Sequence, residues 1–285
     1  MAANDCSYTN SASTSVNLND GSTNTLEAPG PQGIYEVIGT PIVAGIPRKL
    51  PAGLYQVSNL KAREIEVPVL VRGATPSALA TNLRTLTSAL WVDVRDDELG
   101  TFKYTAPNSN ERHIKAALKE AIDIKEWHLA GTSDLSAALV SIPLLCPDPT
   151  FYNPTAVTPS GAFNGTSNVN ISCANAGDVD AYVTITYTGI VTHPKVTDAY
   201  GNFMYIENDT AHANDTLVLT LDPQNLSITY TPNGGSATDW FGYRSADSTM
   251  VYAKYGTNNL TFVGEDAGDD ATIGISLNPR YSTHG

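Results

Sequence analysis

Residues 63–91 read REIEVPVLVRGATPSALATNLRTLTSALW, and this stretch decides how the first half of the chain folds. Ile65, Val67, Val69 and Val71 alternate with Glu64, Glu66, Pro68 and Leu70, mostly the period-two pattern of a half-buried strand. Gly73 then interrupts the strand. Thr75 is placed to accept a hydrogen bond from the first free amides of a helix, and Pro76 stands where a missing N–H costs nothing. Leu79, Leu83, Leu86 and Leu90 follow at helical spacing, so one apolar stripe over 76–90 should face a core. The predicted unit is strand, tight turn, amphipathic helix. It carries no catalytic group.

Working outward, 285 residues allow two domains. Only 16% of the residues are charged, and Gly 22 and Pro 17 imply many turns, a balance that favours β structure over helix bundles. The net charge of −13 argues against a cationic groove for nucleic acid. That charge is uneven. Residues 1–152 hold 16 acidic and 12 basic side chains, net −4, whereas 153–285 hold 13 and 4, net −9. The step supports a boundary near residue 152, with solubility of an exposed domain as its plainest reading.

Residues 1–32 form a Ser/Thr/Asn-rich leader in which only Ser15–Asp20 hints at a strand. A leader this polar is expected to be ordered by a neighbour, or as part of the domain that follows. A first domain is expected over 33–152. It has strand candidates at Ile34–Ile38, Leu54–Val57 and Gly100–Tyr104, the last after an acidic turn at Asp96–Glu98. Over residues 112–130 helix propensity competes with alternation of Ile114, Ala116, Leu118, Ile122 and Ile124. The alternation predicts two strands bent near Glu120–Ala121. Leu135–Leu145 is a further strand, and Pro143 suggests that its end lies at a sheet edge. From 153 to 285 helical patterns vanish. Short β-like runs separated by Asn, Asp and Gly recur at Val169–Ser172, Ala181–Tyr187, Phe203–Ile206, Thr216–Leu221, Leu226–Tyr230, Met250–Tyr255, Leu260–Val263 and Ala271–Leu277. That spacing predicts a β-sandwich.

The usual signatures of chemistry are missing. There is no G-x-S-x-G, phosphate-binding loop or dinucleotide fingerprint, and His113, His128, His193, His212 and His284 show no metal-ligand spacing. Cys6, Cys146 and Cys173 form no CxxC, so free thiols in a reducing compartment are expected. Glu265, Asp266, Asp269 and Asp270 could present oxygen ligands to calcium, but Gly264 and Gly268 make them a solvated hairpin tip first. The six N-x-Ser/Thr triplets reflect composition in a chain whose start resembles no secretory signal. No run approaches the ~18 apolar residues of a membrane span. Trp240, Phe241 and Tyr243, with Tyr252 and Tyr255 downstream, are either core and strand-face aromatics or a platform for stacking on sugars. Two distant carboxylates would suffice for a glycosidase, yet nothing marks out a pair.

The order of these pieces resembles the distal tail proteins of long-tailed, non-contractile bacteriophages, also described as minor tail proteins or siphovirus tail components. Arg63-Glu64-Ile65-Glu66-Val67 leads to the Gly73–Pro76 turn and the Leu79–Leu90 helix. Gly100-Thr101-Phe102-Lys103-Tyr104, Arg112-His113-Ile114 and the closing Asp148-Pro149-Thr150-Phe151-Tyr152 follow. The second half matches at Asn175-Ala176-Gly177-Asp178, His193-Pro194-Lys195-Val196, Asp215–Leu221, Tyr255–Phe262 and Pro279-Arg280-Tyr281. The long leader and the acidity depart from the family's pattern.

The resemblance implies a mainly β chain. Its N-terminal belt domain would be a split β-barrel, tail-tube-like, with one helix, and its C-terminal domain a galectin-like β-sandwich. It implies a structural virion protein without catalytic residue, metal or cofactor: a hub at the distal end of the tail, made in the host cytoplasm. Six copies would form a ring that passes DNA. The partners would be the tail tube, the tail tip or baseplate hub with the tape-measure protein, and receptor-binding or fibre proteins. The alternative is a carbohydrate-binding module using Trp240, Phe241 and Tyr243. A glycosidase stands third.

Overall fold

Alternation of polar and apolar side chains dominates the chain, and the computed structural model turns most of it into antiparallel sheet. It describes residues 5–26, 31–32, 48–49, 55–56, 62–105, 110–128, 136–210, 212–265 and 270–283. The chain divides into two compact units. One comprises Met1–Val43, Asn59–Pro154 and Ser282–Gly285, the other Ala44–Ser58 and Thr155–Tyr281.

In the first unit the leader supplies β1 (Asp5–Thr9), β2 (Ser15–Asn17) and β3 (Asn24–Leu26). A short ribbon of the second unit, β4 (Arg48–Lys49) with β5 (Tyr55–Gln56), comes next in the chain. The first unit resumes with β6 (Arg63–Gly73), helix α1 (Pro76–Asp96), β7 (Gly100–Thr105), β8 (Arg112–Leu118), β9 (Asp123–His128), β10 (Ser136–Cys146) and β11 (Phe151–Tyr152). The sheet order is β2–β1–β7–β8–β10–β6–β3, with β9 also paired to β10. Its two end strands, β2 and β3, are consecutive in sequence. The Asp20 carboxylate accepts the amides of Ser22, Thr23 and Asn24, and Asn24 Nδ2 donates to Asn17 O at 2.8 Å. The loop from Leu18 to Thr23 thereby draws the sheet into a nearly closed barrel.

Of the two expectations for the leader, order within the first unit is the one that its described residues follow, and order by a neighbour is not. Cys6, Tyr8 and Leu18 are fully buried, and β1 pairs with β7 along its whole length. The Tyr8 hydroxyl reaches Asp93 Oδ2 at 2.5 Å and Ala116 O at 2.8 Å, while Ser11 N donates to Asp93 Oδ1 at 2.6 Å. Gly100 is required beneath them, because a Cβ there would lie 2.4 Å from the Tyr8 hydroxyl.

The opening stretch folds as read, with three adjustments. Thr75 caps α1, its hydroxyl accepting the Ala78 amide at 3.1 Å. The helix runs past residue 90 to Asp96, because Ala89, Leu90 and Asp93 continue the buried face. Asp97 stops it in the left-handed region, φ 56, a position that glycine more often fills. Asp96 thus ends the helix instead of opening a turn, and Leu83 is only partly buried. The Pro143 expectation also fails: β10 lies between β6 and the β8/β9 pair. Pro143 O accepts the Lys119 amide at 2.9 Å, so the proline's missing donor faces the bend between β8 and β9, where the ladder is interrupted anyway. Arg63, at the start of β6, donates from Nε to Pro149 O at 2.8 Å and lies over the Phe151 ring. It ties the opening strand to the closing Asp148–Tyr152 motif.

The second unit continues with β12 (Ser160–Ala162), β13 (Asn168–Asn175), β14 (Ala181–Thr188), β15 (Lys195–Thr197), β16 (Phe203–Tyr205), β17 (Thr216–Thr220), β18 (Ser227–Thr231), β19 (Thr238–Asp239), β20 (Tyr252–Ala253), β21 (Gly256–Val263), β22 (Thr272–Leu277) and β23 (Arg280–Tyr281). One sheet is ordered β12–β22–β14–β17–β18–β19 with β20 on β14; the other is β13–β21–β15–β16. Phe163, Tyr187, Leu219, Trp240 and Phe262 lie in a shared core, the arrangement of a sandwich. All eight expected runs contain strand. β12, β15, β19 and β23 are too short for alternation to reveal. Ile34–Ile38 lies outside the described residues, and Leu54–Val57 contains the described β5.

Candidate functional site

The aromatic trio follows β19 directly. Trp240 N–H donates to Ile228 O at 2.8 Å, which fixes the chain as it enters a single 3-10 turn, Phe241–Tyr243. The indole stacks on Tyr230 with centroids 4.0 Å apart and is only 8% exposed. Tyr230 in turn donates to the buried Asp215 carboxylate at 2.5 Å. Trp240 therefore belongs to the sandwich core. Tyr243 packs edge-on against it at 5.4 Å and remains 48% exposed. Phe241 is half-buried and lines a shallow groove with Leu226, Thr229, Ala237, Thr238 and Asp239. What the trio presents to solvent is one tyrosine ring and the side of a phenylalanine.

A second aromatic surface was not marked out by the sequence beyond its Tyr255. Lys254 lies between the Tyr200 and Tyr255 rings, with Nζ 5.2 Å and 5.7 Å from their centroids. Both rings are about half exposed. Their neighbours in sequence gave no hint, because Tyr200 arrives from a hairpin tip held by Asp198.

Two of the histidines are engaged in ion pairs. His113 bonds Glu111 at 2.7 Å and packs edge-on against Tyr152. His193, at φ 48, bonds Glu265 at 2.9 Å, and that contact with nearby Asp209 raises its pKa. The three cysteines form no disulfide and are buried; burial pushes Cys146 up to about 12, far from the range of a reactive thiolate. Asp266 and Asp269 lie outside the described residues, as do the side chains of His128 and His284. Among the described residues no three His, Cys, Asp or Glu side chains are grouped to hold a metal, and no helix is long and apolar enough to cross a membrane.

The first unit offers larger surfaces. β6 alternates strictly: a Cβ on Gly73 would lie 2.2 Å from Leu79 N, so the residues of its parity, Ile65 to Val71, face α1. Glu64 and Glu66 face the other way. With Lys119, Glu120, Asp123 and Lys125 they line a cleft over Pro143 at the β8–β9 bend. Lys119 pairs with Glu64 at 2.9 Å and Lys125 with Asp123 at 2.6 Å. On the opposite side, the outer face of α1 carries a groove lined by Arg84, Thr87, Ser88, Trp91, Val92 and Arg95. Trp91 is 50% exposed there. Finally, β9 pairs only with β10, so its other edge is open among the described residues.

A barrel with one helix, followed by a two-sheet sandwich, has a solved counterpart. The structure of SPP1 Dit (gp 19.1), described as a paradigm of the hub adsorption apparatus in phages infecting Gram-positive bacteria, superposes with a TM-score of 0.61. The match covers 96% of this chain and 98% of that one, at 17% sequence identity. The fold is that of a phage Dit protein. The likeness runs through both units of the Dit fold, so neither is an unrelated addition. No protein-family model and no curated protein matches the sequence.

Proposed function

We propose that the chain is a structural protein of a bacteriophage virion, the distal tail hub ring that joins the tail tube to the tail tip or baseplate. The observation that carries this reading is the Dit fold over 96% of the chain. The domain expected over residues 33–152, together with the leader, forms the ring. The domain expected over residues 153–285, galectin-like in the family's pattern, serves receptor-binding or fibre proteins. Six copies close by heterologous contacts, which the open edge of β9 can supply by strand pairing. The role is positional and needs no catalysis. DNA passes through the lumen, where a repulsive wall would not retain it; the net charge of −4 over residues 1–152 is of the sign that suits that passage. Rings of Lys and Arg facing the lumen of the assembled particle would contradict this last point.

Electron microscopy of the purified chain tests the proposal: closed six-fold rings are expected, and a monomer at every concentration would refute it. A second reading, carbohydrate binding at the host surface, is favoured by the exposed Tyr243 beside the Phe241 groove. A glycan array separates the two. Specific binding lost in Tyr243→Ala supports the second reading. Trp240→Ala would be the wrong probe, because it removes part of the core.

A further inference from the structure

The two faces of the first unit differ in a way the hub reading leaves unexplained. A tryptophan half exposed on the solvent side of a helix costs hydration and is avoided on surfaces that meet only water. Trp91 is flanked by Arg84, which has no ion-pair partner among the described residues, and by Arg95, whose guanidinium is held by Asp96 at 2.7 Å. Trp and Arg are the side chains that most often dominate the energy of protein interfaces. The opposite side bears the cleft of Glu64, Glu66, Glu120 and Asp123, only partly offset by Lys119 and Lys125. The first patch is apolar and cationic; the second is net anionic.

We propose that the α1 groove docks into the Glu64–Asp123 cleft of a second copy of this chain, with Trp91 as the apolar anchor and Arg84 meeting Glu120. This rests on the ring reading and names the surfaces that close the ring. Charge complementarity selects the occupant. Helix against helix would set Arg84 against Arg84, and cleft against cleft would set carboxylates together, so both two-fold arrangements are disfavoured. Because the α1 groove and the cleft lie on opposite sides of one sheet, each copy can use one patch on each neighbour. Head-to-tail contacts of this kind give a ring when the rotation between copies closes and a filament when it does not. The contact is distinct from β9 edge pairing and can operate beside it.

The test uses the full chain, followed by native mass spectrometry across a concentration series. Trp91→Ala and Arg84→Glu should each raise the concentration needed for ring formation by about tenfold or more. Both residues are surface side chains, so circular dichroism and thermal unfolding should stay unchanged. Combining Arg84→Glu with Glu120→Lys should recover assembly relative to either single variant. Assembly of Trp91→Ala and Arg84→Glu at the wild-type concentration overturns the inference and leaves the hub reading standing. A wild-type chain that never assembles overturns both. Failure of the charge swap, with each single variant impaired, overturns the assignment of the cleft as the docking surface.

Discussion

Replacing Tyr8 by Phe isolates the contact that makes the leader part of the barrel. The substitution removes one oxygen and leaves the ring, so packing is conserved. It deletes the hydroxyl that lies 2.5 Å from Asp93 Oδ2 and 2.8 Å from Ala116 O. One phenol proton serves the two acceptors, so their energies do not add. A hydrogen bond to a charged group is worth about 1.5–3 kcal/mol, and Asp93, only 1% exposed, would recover no water in exchange. The Ser11 amide still holds Oδ1, which caps the loss. The expected cost is about 2–3 kcal/mol. Gly100→Ala should break the same contact by force, since its Cβ would lie 2.5 Å from Asp93 Oδ2. The two substitutions should therefore be markedly non-additive. Because the chain has two units, the measurement is hydrogen exchange on the amides of β1, β7 and β8 under a urea series, not a single global signal. A Tyr8→Phe cost below about 0.5 kcal/mol, the level of an ordinary surface change, would refute the reasoning.

Tyr187 behaves oppositely: it is fully buried and its hydroxyl has no hydrogen-bond partner among the described residues. Tyr187→Phe should be neutral or stabilising by up to about 2 kcal/mol on the second unit's denaturation midpoint, because a desolvated hydroxyl is removed. Burial raises the pKa of Tyr8, with Asp93 adding to it, and burial alone raises Tyr187. Each therefore keeps its proton in the folded state above the ordinary value near 10. Their stabilisation is complete below that pH and falls as pH rises through it, by about 1.4 kcal/mol per pH unit per tyrosine. Alkaline unfolding should begin near pH 10, with a shallower slope in Tyr187→Phe. Trp240→Ala should cost the sandwich about 3–5 kcal/mol, whereas Tyr243→Ala should leave the thermal midpoint within error.

Much of the fold is local and so was legible. β6 and the start of α1 follow from alternation, Thr75 and Pro76, and the strands of the second unit follow from their spacing. What was hidden depends on distant pairs. β1 reads as a polar leader because only Cys6 and Tyr8 point inward, and Tyr8 finds Asp93 85 residues away. Asp97 ends α1 without the glycine that would have announced it. Pro143 marks an edge only by rule; the bend between β8 and β9 makes room for it inside the sheet. The orientation of Trp240 was likewise undetermined, since an aromatic trio suits a core and a platform equally. The patches on α1 and at the β8–β9 bend could not be seen at all, because their separation across one sheet exists only in three dimensions.

A hub ring requires assembly. Native mass spectrometry of the full chain at neutral pH should show a closed hexamer as the dominant oligomer. A monomer, or an open series of oligomers without a closed ring, would contradict it.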